Sequence, residues 1–581
     1  MRDRIKVETW WVIALIAVTA AIYLGSAGIP ALLDDADSFY AEVAREMNLR
    51  GDWITPYANG IRYLEKPPLF FWLISLSYGI LHTVGAFAAR MPTALAVIAL
   101  VYVTVQIGTL LYGNRAGLLS GLVLATSMGT FLFTRIILPD ALFTLFLSLI
   151  FYSYLRWKKE DRKNSWLLWM YGFAALAVMA KGLIGLVFPA GILFLTLVIN
   201  RNWSDILRLI SIRGILLLLA ITAPWHILIG IRNPGFFWFY FINEHVLRFL
   251  GKRYPMDYGT VPLAPFWVLH MVWLFPWSIY LLTLLDPGTF RRRLAEYGEN
   301  FILPVAWALT ILLFFSFSSR LEYYTVPAFP ALALICGVQC SAFWERGKGW
   351  PGILLGILGG MAGLSLLIAA LYVSSRGAAQ GWLKLRNNPD LYAYYLGHLF
   401  DLTWESLYEL RLPLLIAGLA LGVFLPLHLV FRRWEFKAAA LGLGMATFFI
   451  AANIGFSIFA PRLTSKPVAE EINRRVDANT DAIIVIDGEY EEGCSVAFYT
   501  GRNVMLHNGR SSNLEYGSRY ADAPPVFPDD EALKKLWNES GKRVFLVTYE
   551  PKLAKLDELI PQNRFMLFQY GDKRLYSNKP D

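Results

Sequence analysis

Residues 91–112 read MPTALAVIALVYVTVQIGTLLY, a stretch in which no side chain is charged. A helix needs about 20 mostly apolar residues to cross the roughly 30 Å hydrocarbon core of a bilayer, so this stretch predicts a membrane span. Similar apolar runs recur from Trp10 to about Ala460. Together they predict an α-helical polytopic membrane protein with about 13 transmembrane helices.

The composition of the whole chain agrees with this prediction. Of its 581 residues, 56% are hydrophobic and 17% are charged, whereas soluble domains carry roughly 25% charged residues. The mean hydropathy is +0.45. The net charge of +9 lies in short loops between apolar runs, which is typical of membrane topology and not of nucleic-acid binding. We therefore expect the lipid bilayer as a partner and no nucleic acid.

Positive charge predicts the orientation of the chain. Arg2, Arg4 and Lys6 place the N-terminus in the cytoplasm. Hydropathy does not show whether the run Pro68–Ala86 crosses the membrane, but the positions of the basic loops distinguish the two possibilities. If this run does not span, every short, strongly basic loop lies in the cytoplasm; if it spans, all of them lie outside. We therefore interpret it as an interfacial or re-entrant helix, which places the C-terminus outside the cytoplasm.

The last part of the chain differs from the rest, because charges and turn residues return from Pro461 onward. We predict a transmembrane domain over residues 1–460 and a small extracytoplasmic α/β domain over residues 461–581. In the second domain the patterns predict strands at 482–486, 496–499 and 544–548, helices at 531–537 and 551–560, and a hairpin at 565–576.

Three predicted outer loops are long, at residues 31–90, 232–261 and 374–411, and long loops on a membrane scaffold often carry function. The first holds Asp34, Asp35 and Asp37 directly after the first span. Carboxylates this close repel one another, so either the pKa of one of them is raised or the group attracts a cation. A helical spacing follows from Ser38 to Leu49, with Asp37 or Ser38 as its predicted N-cap.

Short motifs in the outer loops resemble those of a known superfamily. The first loop contains Tyr40-Ala-Glu-Val-Ala-Arg-Glu-Met, Gly51-Asp52-Trp53 and Tyr63-Leu-Glu-Lys-Pro-Pro-Leu. Later motifs follow in order: Ala88-Ala89-Arg90-Met91-Pro92, Pro139-Asp140, Lys181-Gly182, Asn243-Glu244-His245, Phe275-Pro276-Trp277, Ser318-Ser319-Arg320 and Tyr323-Tyr324. Their order is similar to that in the bacterial aminoarabinose transferases (ArnT) and protein O-mannosyltransferases, which are GT-C membrane glycosyltransferases.

This resemblance implies a GT-C fold and a donor sugar carried on polyprenyl phosphate, in bacteria undecaprenyl phosphate. The sugar is expected to be 4-amino-4-deoxy-L-arabinose or a hexose. The acceptor stays open among lipid A, another envelope glycan and a protein hydroxyl, the last as in a protein O-mannosyltransferase. The expected location is the bacterial inner membrane. A transporter of lipid-linked sugars is the rival class, although transporters place charges near the bilayer midplane and often contain inverted repeats.

Fixed cations and hydrogen-bond donors suit such a donor, because a phosphate leaving group needs charge stabilisation more than a general acid. Lys181 is the strongest candidate, since a charge at the end of an apolar helix is costly and usually functional. The full set predicted to bind substrate or phosphate is Lys66, Arg90, Lys181, Arg248, Arg320, Tyr323 and Tyr324.

An acceptor hydroxyl needs a carboxylate to take its proton. Asp35 is the first candidate and Asp140 the second, with Asp37 and Asp34 as alternatives. Asp140 follows Pro139 at a helix start, where capping of the helix dipole is an equal explanation. If the acceptor is itself a phosphate, no base is required, and the aspartate orients the acceptor or the sugar.

The resemblance also raises a divalent cation as a candidate cofactor. Glu65 and His245 would be its ligands, because their two outer loops meet in the superfamily's fold. Beside His245, the aromatic run Phe236 to Phe241 is interpreted as an amphipathic helix lying on the membrane next to the site.

Overall fold

The computed structural model describes residues 2–255, 259–346, 349–376, 385, 386, 388, 391, 394–476, 481–510 and 512–580. The predicted outer loop at 374–411 therefore lies partly outside the described residues. The α-helices described before residue 464 are α1 (Arg2–Tyr23), α2 (Ala36–Arg50), α3 (Leu69–Leu81), α4 (Ala86–Tyr112), α5 (Asn114–Thr126), α6 (Met128–Phe133), α7 (Asp140–Lys159), α8 (Asn164–Lys181), α9 (Ile184–Ile199), α10 (Trp203–Leu209), α11 (Ile212–Arg232), α12 (Leu263–Trp273), α13 (Ser278–Leu282), α14 (Pro287–Tyr297), α15 (Glu299–Ser316), α16 (Phe329–Glu345), α17 (Trp350–Arg376), α18 (Arg411–Leu419), α19 (Leu425–Leu427) and α20 (Trp434–Leu463).

Several of these helices are long and apolar enough to cross a bilayer. Within the described residues there are 6, or up to 7 if the bent pair α12 and α13, whose axes meet at 117°, counts as one span. They are α4, α11, α15, the helical segment Glu322–Glu345, α17 and α20. Shorter apolar helices are Thr9–Tyr23, α3, α9 and Arg411–Leu427. The chain is a multi-pass membrane protein, as predicted, and the number of about 13 spans stays a prediction.

Helix α3 lies in the ambiguous run Pro68–Ala86. It has 13 residues, which at about 1.5 Å per residue gives roughly 20 Å, less than the hydrocarbon core. One of its faces is buried against the protein through Phe70, Phe71 and Ile74. These dimensions support an interfacial or re-entrant position.

The apolar run at residues 117–133 is not one helix. It breaks at Ser127, whose backbone is extended (φ −76°, ψ 136°), and continues as α6. The N–H of Met128 then donates to the carbonyl of Phe275 (3.2 Å), in the turn between α12 and α13. The break lets α6 approach that turn.

The C-terminal part is an α/β domain, as predicted. A five-stranded sheet has the order β4-β3-β5-β7-β6, with β3 parallel to β4 and β5, and β7 antiparallel to β5 and β6. Its strands are β3 (Ala482–Asp487), β4 (Met505–His507), β5 (Arg543–Tyr549), β6 (Phe565–Tyr570) and β7 (Lys573–Ser577); its helices are α21 (Lys466–Arg475), α22 (Tyr490–Thr500), α23 (Asp530–Glu539) and α24 (Leu553–Leu559). A two-stranded ribbon, β1 (Tyr57–Ala58) and β2 (Ile61–Arg62), lies in the first outer loop.

Two details of this domain correct the sequence analysis. The strand predicted at 496–499 is part of α22, and β4 was not predicted. Val496, Ala497 and Phe498 are all buried. A short apolar run that is buried on every side has no hydrophobic periodicity in its sequence, so the pattern cannot distinguish a strand from a helix.

The C-terminal α/β domain, called the outer domain after its predicted side of the membrane, packs directly on described residues of loops 31–90 and 232–261, which are likewise called the outer loops. Asn59 exchanges hydrogen bonds with the backbone of Val504 (2.9 and 2.8 Å), and the rings of Phe239 and Tyr516 stack with centroids 3.8 Å apart. Asp34 forms an ion pair with Lys573 (2.7 Å). Loops 31–90 and 232–261 therefore lie on the same side of the membrane helices as the outer domain.

Candidate active site

A cavity of about 1410 Å³ lies where the two loops, the ends of several membrane helices and the outer domain meet. It is larger than the roughly 300–1,000 Å³ typical of small-molecule sites. Eleven of the residues predicted for the site line it: Asp34, Asp35, Glu65, Lys66, Arg90, Asp140, Lys181, His245, Arg248, Tyr323 and Tyr324. Residues that are far apart in the sequence thus form one wall.

Asp35 has an unusual backbone conformation within this wall. Its φ of 65° and ψ of −143° are rare for any residue except glycine, and such a conformation costs on the order of 1–3 kcal/mol. The N–H of Asp35 donates to the carbonyl of Glu491 (2.7 Å), and the Cys494 thiol lies 3.3 Å from the Asp35 carbonyl. The outer domain thereby holds Asp35 in a strained position at the start of α2, where residues that act in catalysis are often found.

Asp34 joins the first loop to the outer domain. One carboxylate oxygen accepts from the Ser465 hydroxyl (2.7 Å) and from Lys573 Nζ (2.7 Å), and the other accepts from the N–H of Ser495 (3.0 Å). We assign Asp34 a positioning role, because its two oxygens are used in fixing the loop.

Asp37 does not line the cavity in the described part of the chain, which corrects its place among the catalytic candidates. Its carboxylate pairs with Arg90 and accepts from the N–H groups of Leu33 (3.1 Å) and Ile137 (3.0 Å). Arg90 lines the cavity, but it also donates to the carbonyl of Pro30 (2.6 Å). The buried pair ties the first loop to α4 and to the segment before Asp140, and these contacts are structural.

Helix α2 begins earlier than predicted because of these contacts. Asp35, and neither Asp37 nor Ser38, occupies the N-cap position, and no side-chain hydrogen bond caps the helix. The Ser38 hydroxyl donates to the carbonyl of Leu33 (2.6 Å). The side chains of Asp37 and Ser38 are used in holding the preceding loop.

Asp140 and Lys181 form a second ion pair, between the start of α7 and the end of α8. Asp140 is the first residue of α7, so its carboxylate pairs with Lys181 and also lies at the positive end of the helix dipole, as considered from the sequence. Lys181 Nζ also lies over the ring of Tyr324, 5.5 Å from its centroid. Tyr323 packs edge-to-face on Tyr324 at 4.9 Å. These contacts place a cation and two aromatic rings together in the cavity.

A buried charge network joins the two outer loops. Arg253 donates to Glu65 (2.5 Å) and to Glu244 (2.8 Å), and Glu244 also accepts from Arg248 (2.9 Å). Lys66 Nζ lies 3.9 Å from Glu65. Sequence reasoning missed Arg253, although the run Lys252-Arg253-Tyr254-Pro255 in an outer loop is a detectable signal. The two carboxylates hold Lys66 and Arg248 in the cavity wall.

The charge of Lys66 depends on pH near neutrality. Burial and, next, the neighbouring Arg248 guanidinium lower the pKa of Lys66 to about 8. The ammonium form is therefore present below about pH 8 and is lost above it in the free protein. A bound phosphate would favour the ammonium form and raise the pKa again.

This shift predicts a decline of kcat/KM for an anionic donor above about pH 8, since kcat/KM reports the pKa values of the free enzyme. In Lys66→Arg the guanidinium stays charged, so the alkaline limb should move to higher pH. The measurement is a pH profile of initial rates at limiting donor. An unchanged limb in Lys66→Arg would assign the titration to another group, Glu491 being the first alternative.

Glu491 is the second residue that sequence reasoning missed. It lies in the run Glu489-Tyr490-Glu491-Glu492 just after β3, and the carboxyl ends of parallel strands are where α/β domains commonly bind ligands. Glu491 lines the cavity and accepts from the amide of Asn513 (2.7 Å). Burial, with a smaller contribution from the Asp35 carboxylate, raises the pKa of Glu491 to about 8. At neutral pH it is a neutral acid that can donate a hydrogen bond into the cavity.

The residues proposed to hold a divalent cation do not fit that role. Nδ1 of His245 donates to the carbonyl of Tyr240 (2.6 Å), and Nε2 accepts from the N–H of Leu183 (3.1 Å). Both ring nitrogens are therefore used, and Glu65 is bound by Arg253. In the described residues no group of three or more His, Cys, Asp or Glu side chains is placed to hold a metal ion.

His245 instead fixes the turn after Lys181. Gly182 has a φ of 87°, and a Cβ at this position would lie 2.4 Å from Nε2 of His245. Burial lowers the pKa of His245, which keeps the ring neutral for these two hydrogen bonds. The ring sits on the π-helix Trp238–Leu247 and couples that segment to the Lys181 turn.

Arg320 also departs from its predicted role, since in the described structure it is not part of the cavity wall. It donates to the carbonyls of Val261 (2.7 Å) and Ser316 (3.0 Å), and its own carbonyl accepts from the N–H of Val261. Arg320 fastens the end of the second loop to α15.

The cavity opens through an apolar mouth. Val187 of α9 and Phe249 and Leu250 beside the π-helix line the cavity and are also exposed on the surface of the protein. In the π-helix, Trp238 and Ile242 are exposed while Phe239 and Tyr240 are buried, as the amphipathic interpretation predicted. An apolar chain in the bilayer can enter through this mouth.

Comparison with known proteins supports the resemblance. A family model described as dolichyl-phosphate-mannose-protein mannosyltransferase matches residues 65–228. An Edwardsiella ictaluri protein named undecaprenyl phosphate-alpha-4-amino-4-deoxy-L-arabinose arabinosyl transferase is 25% identical over 595 residues, covering 97% of this chain and 99% of the relative. A second transferase of that name, from Sodalis glossinidius, is 27% identical and covers 97% and 98%.

The fold is shared with a solved structure. The crystal structure of ArnT from Cupriavidus metallidurans bound to undecaprenyl phosphate superposes with a TM-score of 0.82 at 22% identity, covering 98% of each chain. The apo structure of that protein gives 0.78. The chain thus has the ArnT fold, and the GT-C resemblance drawn from the motifs is confirmed.

Proposed function

We propose that this chain is a glycosyltransferase that moves a sugar from undecaprenyl phosphate to an acceptor outside the cytoplasm. The observation that carries the proposal is the composition of one cavity. Its wall combines the cations Lys66, Lys181 and Arg248 with the carboxylate of Asp35, and its mouth is apolar. A lipid-linked sugar phosphate needs all three features.

The cations suit the leaving group. As the acceptor oxygen bonds to the anomeric carbon, the bond from that carbon to the phosphate oxygen breaks, and undecaprenyl phosphate leaves with the electron pair. Fixed positive charge stabilises the charge that develops there, and in a cavity that excludes water this contribution is large. Lys66 lies in the first loop and Lys181 at the end of α8, so they can contact different oxygens of one phosphate.

The carboxylate of Asp35 suits the acceptor. If the acceptor is a hydroxyl, Asp35 takes its proton as the new bond forms. If the acceptor is a phosphate, as on lipid A, no proton moves and Asp35 orients the sugar or the acceptor. The names of the near full-length relatives support an aminoarabinose donor over a mannose donor.

We place the protein in the bacterial inner membrane, with the N-terminus in the cytoplasm and the domain at residues 461–581 outside. The basic loops of the sequence support this orientation. The packing of loops 31–90 and 232–261 against the outer domain agrees with it. The site would then face the compartment where envelope glycans are exposed.

The test is transfer by the purified protein in lipid vesicles. With undecaprenyl phosphate-linked 4-amino-4-deoxy-L-arabinose and lipid A, we expect the acceptor to gain one sugar by mass spectrometry. Lys66→Met should lower the rate about 10²–10³-fold, as loss of one charge-stabilising group does. The exposed neighbour Lys252 provides the control, since Lys252→Met should keep the wild-type rate. Absence of transfer to lipid A and to other envelope glycans would refute the proposal.

A further inference from the structure

We infer that Glu322 forms the subsite for a positively charged substituent of the donor sugar, and that it selects an amino sugar over a neutral one. The inference rests on the proposed function and deepens it by naming a residue that determines specificity.

Glu322 occupies a deep position in the cavity. It starts the 3₁₀ turn Glu322–Ala328 that leads into α16, and it is 3% exposed. It lines the cavity together with Tyr323 and Tyr395. The Tyr395 ring packs edge-to-face on Phe133 at 4.8 Å, and Tyr395 lines the cavity with Glu322.

The carboxyl group is incompletely satisfied. Oε1 accepts one hydrogen bond, from the N–H of Tyr395 (3.3 Å). Oε2 is buried and has no hydrogen-bond partner among the residues that the structure describes. No Lys, Arg or His of the described chain lies within ion-pair distance of Glu322, whereas the cavity carboxylates Asp34, Glu65 and Asp140 each have a cation partner.

This arrangement predicts the chemistry of the ligand. An ionised carboxylate in an apolar wall is costly unless a cation and hydrogen-bond donors reach it. An ammonium group supplies a full positive charge and up to three donors. A hydroxyl supplies one donor and no charge, so it satisfies the site less well.

The position of Glu322 points to the donor sugar. Tyr324, two residues on, packs beside Lys181, the cation assigned to the donor phosphate. Glu322 lines the same cavity as Tyr324 and Lys181. The sugar is bonded directly to that phosphate in the donor, so it occupies this cavity, and the inference places its charged substituent at Glu322.

The experiment compares two donors that differ in one group. Transfer is measured from undecaprenyl phosphate-linked 4-amino-4-deoxy-arabinose and from the matching arabinose. We expect wild type to prefer the amino sugar. In Glu322→Gln, kcat/KM for the amino sugar should fall about 10- to 100-fold, as loss of a charged hydrogen bond does, and kcat/KM for arabinose should change less than about threefold. Glu345→Gln, on an exposed carboxylate at the other end of α16 that pairs with Arg115, is the matched control.

Binding of undecaprenyl phosphate without a sugar separates recognition from folding. Glu322→Gln should bind it as tightly as wild type does. Equal losses for both donors, or weaker binding of the bare lipid phosphate, would overturn the inference. So would a change of sugar preference in Glu491→Gln that Glu322→Gln does not show. If wild type transfers neither sugar, the proposed function fails; if it transfers both and Glu322→Gln keeps the wild-type ratio, the inference alone fails.

Discussion

Asp35→Asn is expected to lower the rate of sugar transfer by about two to four orders of magnitude if the acceptor is a hydroxyl, because that is the usual contribution of a general base. Asparagine tolerates a positive φ better than most residues, and its N–H can still donate to the carbonyl of Glu491. The fold should therefore persist while the carboxylate is lost. The measurement is the initial rate with saturating donor, beside thermal unfolding of the same sample.

Asp35→Gly is the control for backbone strain. Glycine adopts a φ near 65° without cost, so this variant should be at least as stable as wild type and just as inactive as Asp35→Asn. Retention of activity in both variants, with loss in Asp140→Asn, would transfer the catalytic role to Asp140. A small loss in Asp35→Asn with lipid A would indicate the phosphate route, in which no proton moves.

Arg253→Met is expected to destabilise the protein by about 3–5 kcal/mol, the cost of breaking a buried ion pair by removing one partner. The side chain of Arg253 is 2% exposed, and its loss leaves Glu65 without its guanidinium partner. Glu244 would keep Arg248. Transfer should fall as well, because Glu65 and Glu244 hold the cations of the cavity wall. The measurement is unfolding by denaturant in detergent, followed by tryptophan fluorescence.

Arg232→Met is the matched control for this prediction. Arg232 pairs with Asp52 at 3.2 Å, but its side chain is 52% exposed, and exposed pairs contribute about 0–1 kcal/mol. Arg253→Lys should recover part of the stability, since an ammonium cannot bridge two carboxylates as a planar guanidinium does. If Arg253→Met were no less stable than Arg232→Met, the prediction that Arg253 stabilises the fold through its buried ion pairs would be wrong.

The sequence was sufficient to predict most of the cavity residues named from it, because membrane topology limits where charges can lie. Once the basic loops are assigned to one side, Lys66, Asp140, Lys181 and Arg248 fall at the other face. All four line one cavity in the structure. Hydropathy likewise predicted the multi-pass character, since a bilayer requires long apolar helices.

The partner of each charge could not be predicted from the sequence, because pairing depends on tertiary contacts between distant residues. Arg253 lies 188 residues from Glu65, and nothing in the local pattern joins them. Asp37 and Arg320 resembled the other candidates in residue type and position. The structure shows that they bind backbone and loop partners, which is a matter of side-chain direction.

Helix α22 in the outer domain is another feature that could not be predicted from local sequence, because tertiary contacts determine it. Its buried face carries Val496 and Phe498, both of which favour strands in isolation. Contacts with the first loop decide the outcome: the hydroxyl of Tyr499 accepts from the N–H of Leu32 (2.8 Å). Tertiary context thus overrides local propensity at the surface where the two domains meet.

The ion pair between Asp34 and Lys573 has a consequence for biosynthesis. The two residues are 539 positions apart, so the first loop leaves the ribosome long before its partner exists. A bacterial ribosome adds about 5–20 residues per second, so roughly half a minute or more separates them. During that interval the helices can insert while the loop that carries Asp35 is still unclamped. Ribosomes stalled just before residue 573 should therefore hold a membrane-inserted chain that cannot yet transfer sugar, and release of the last hairpin would switch the enzyme on.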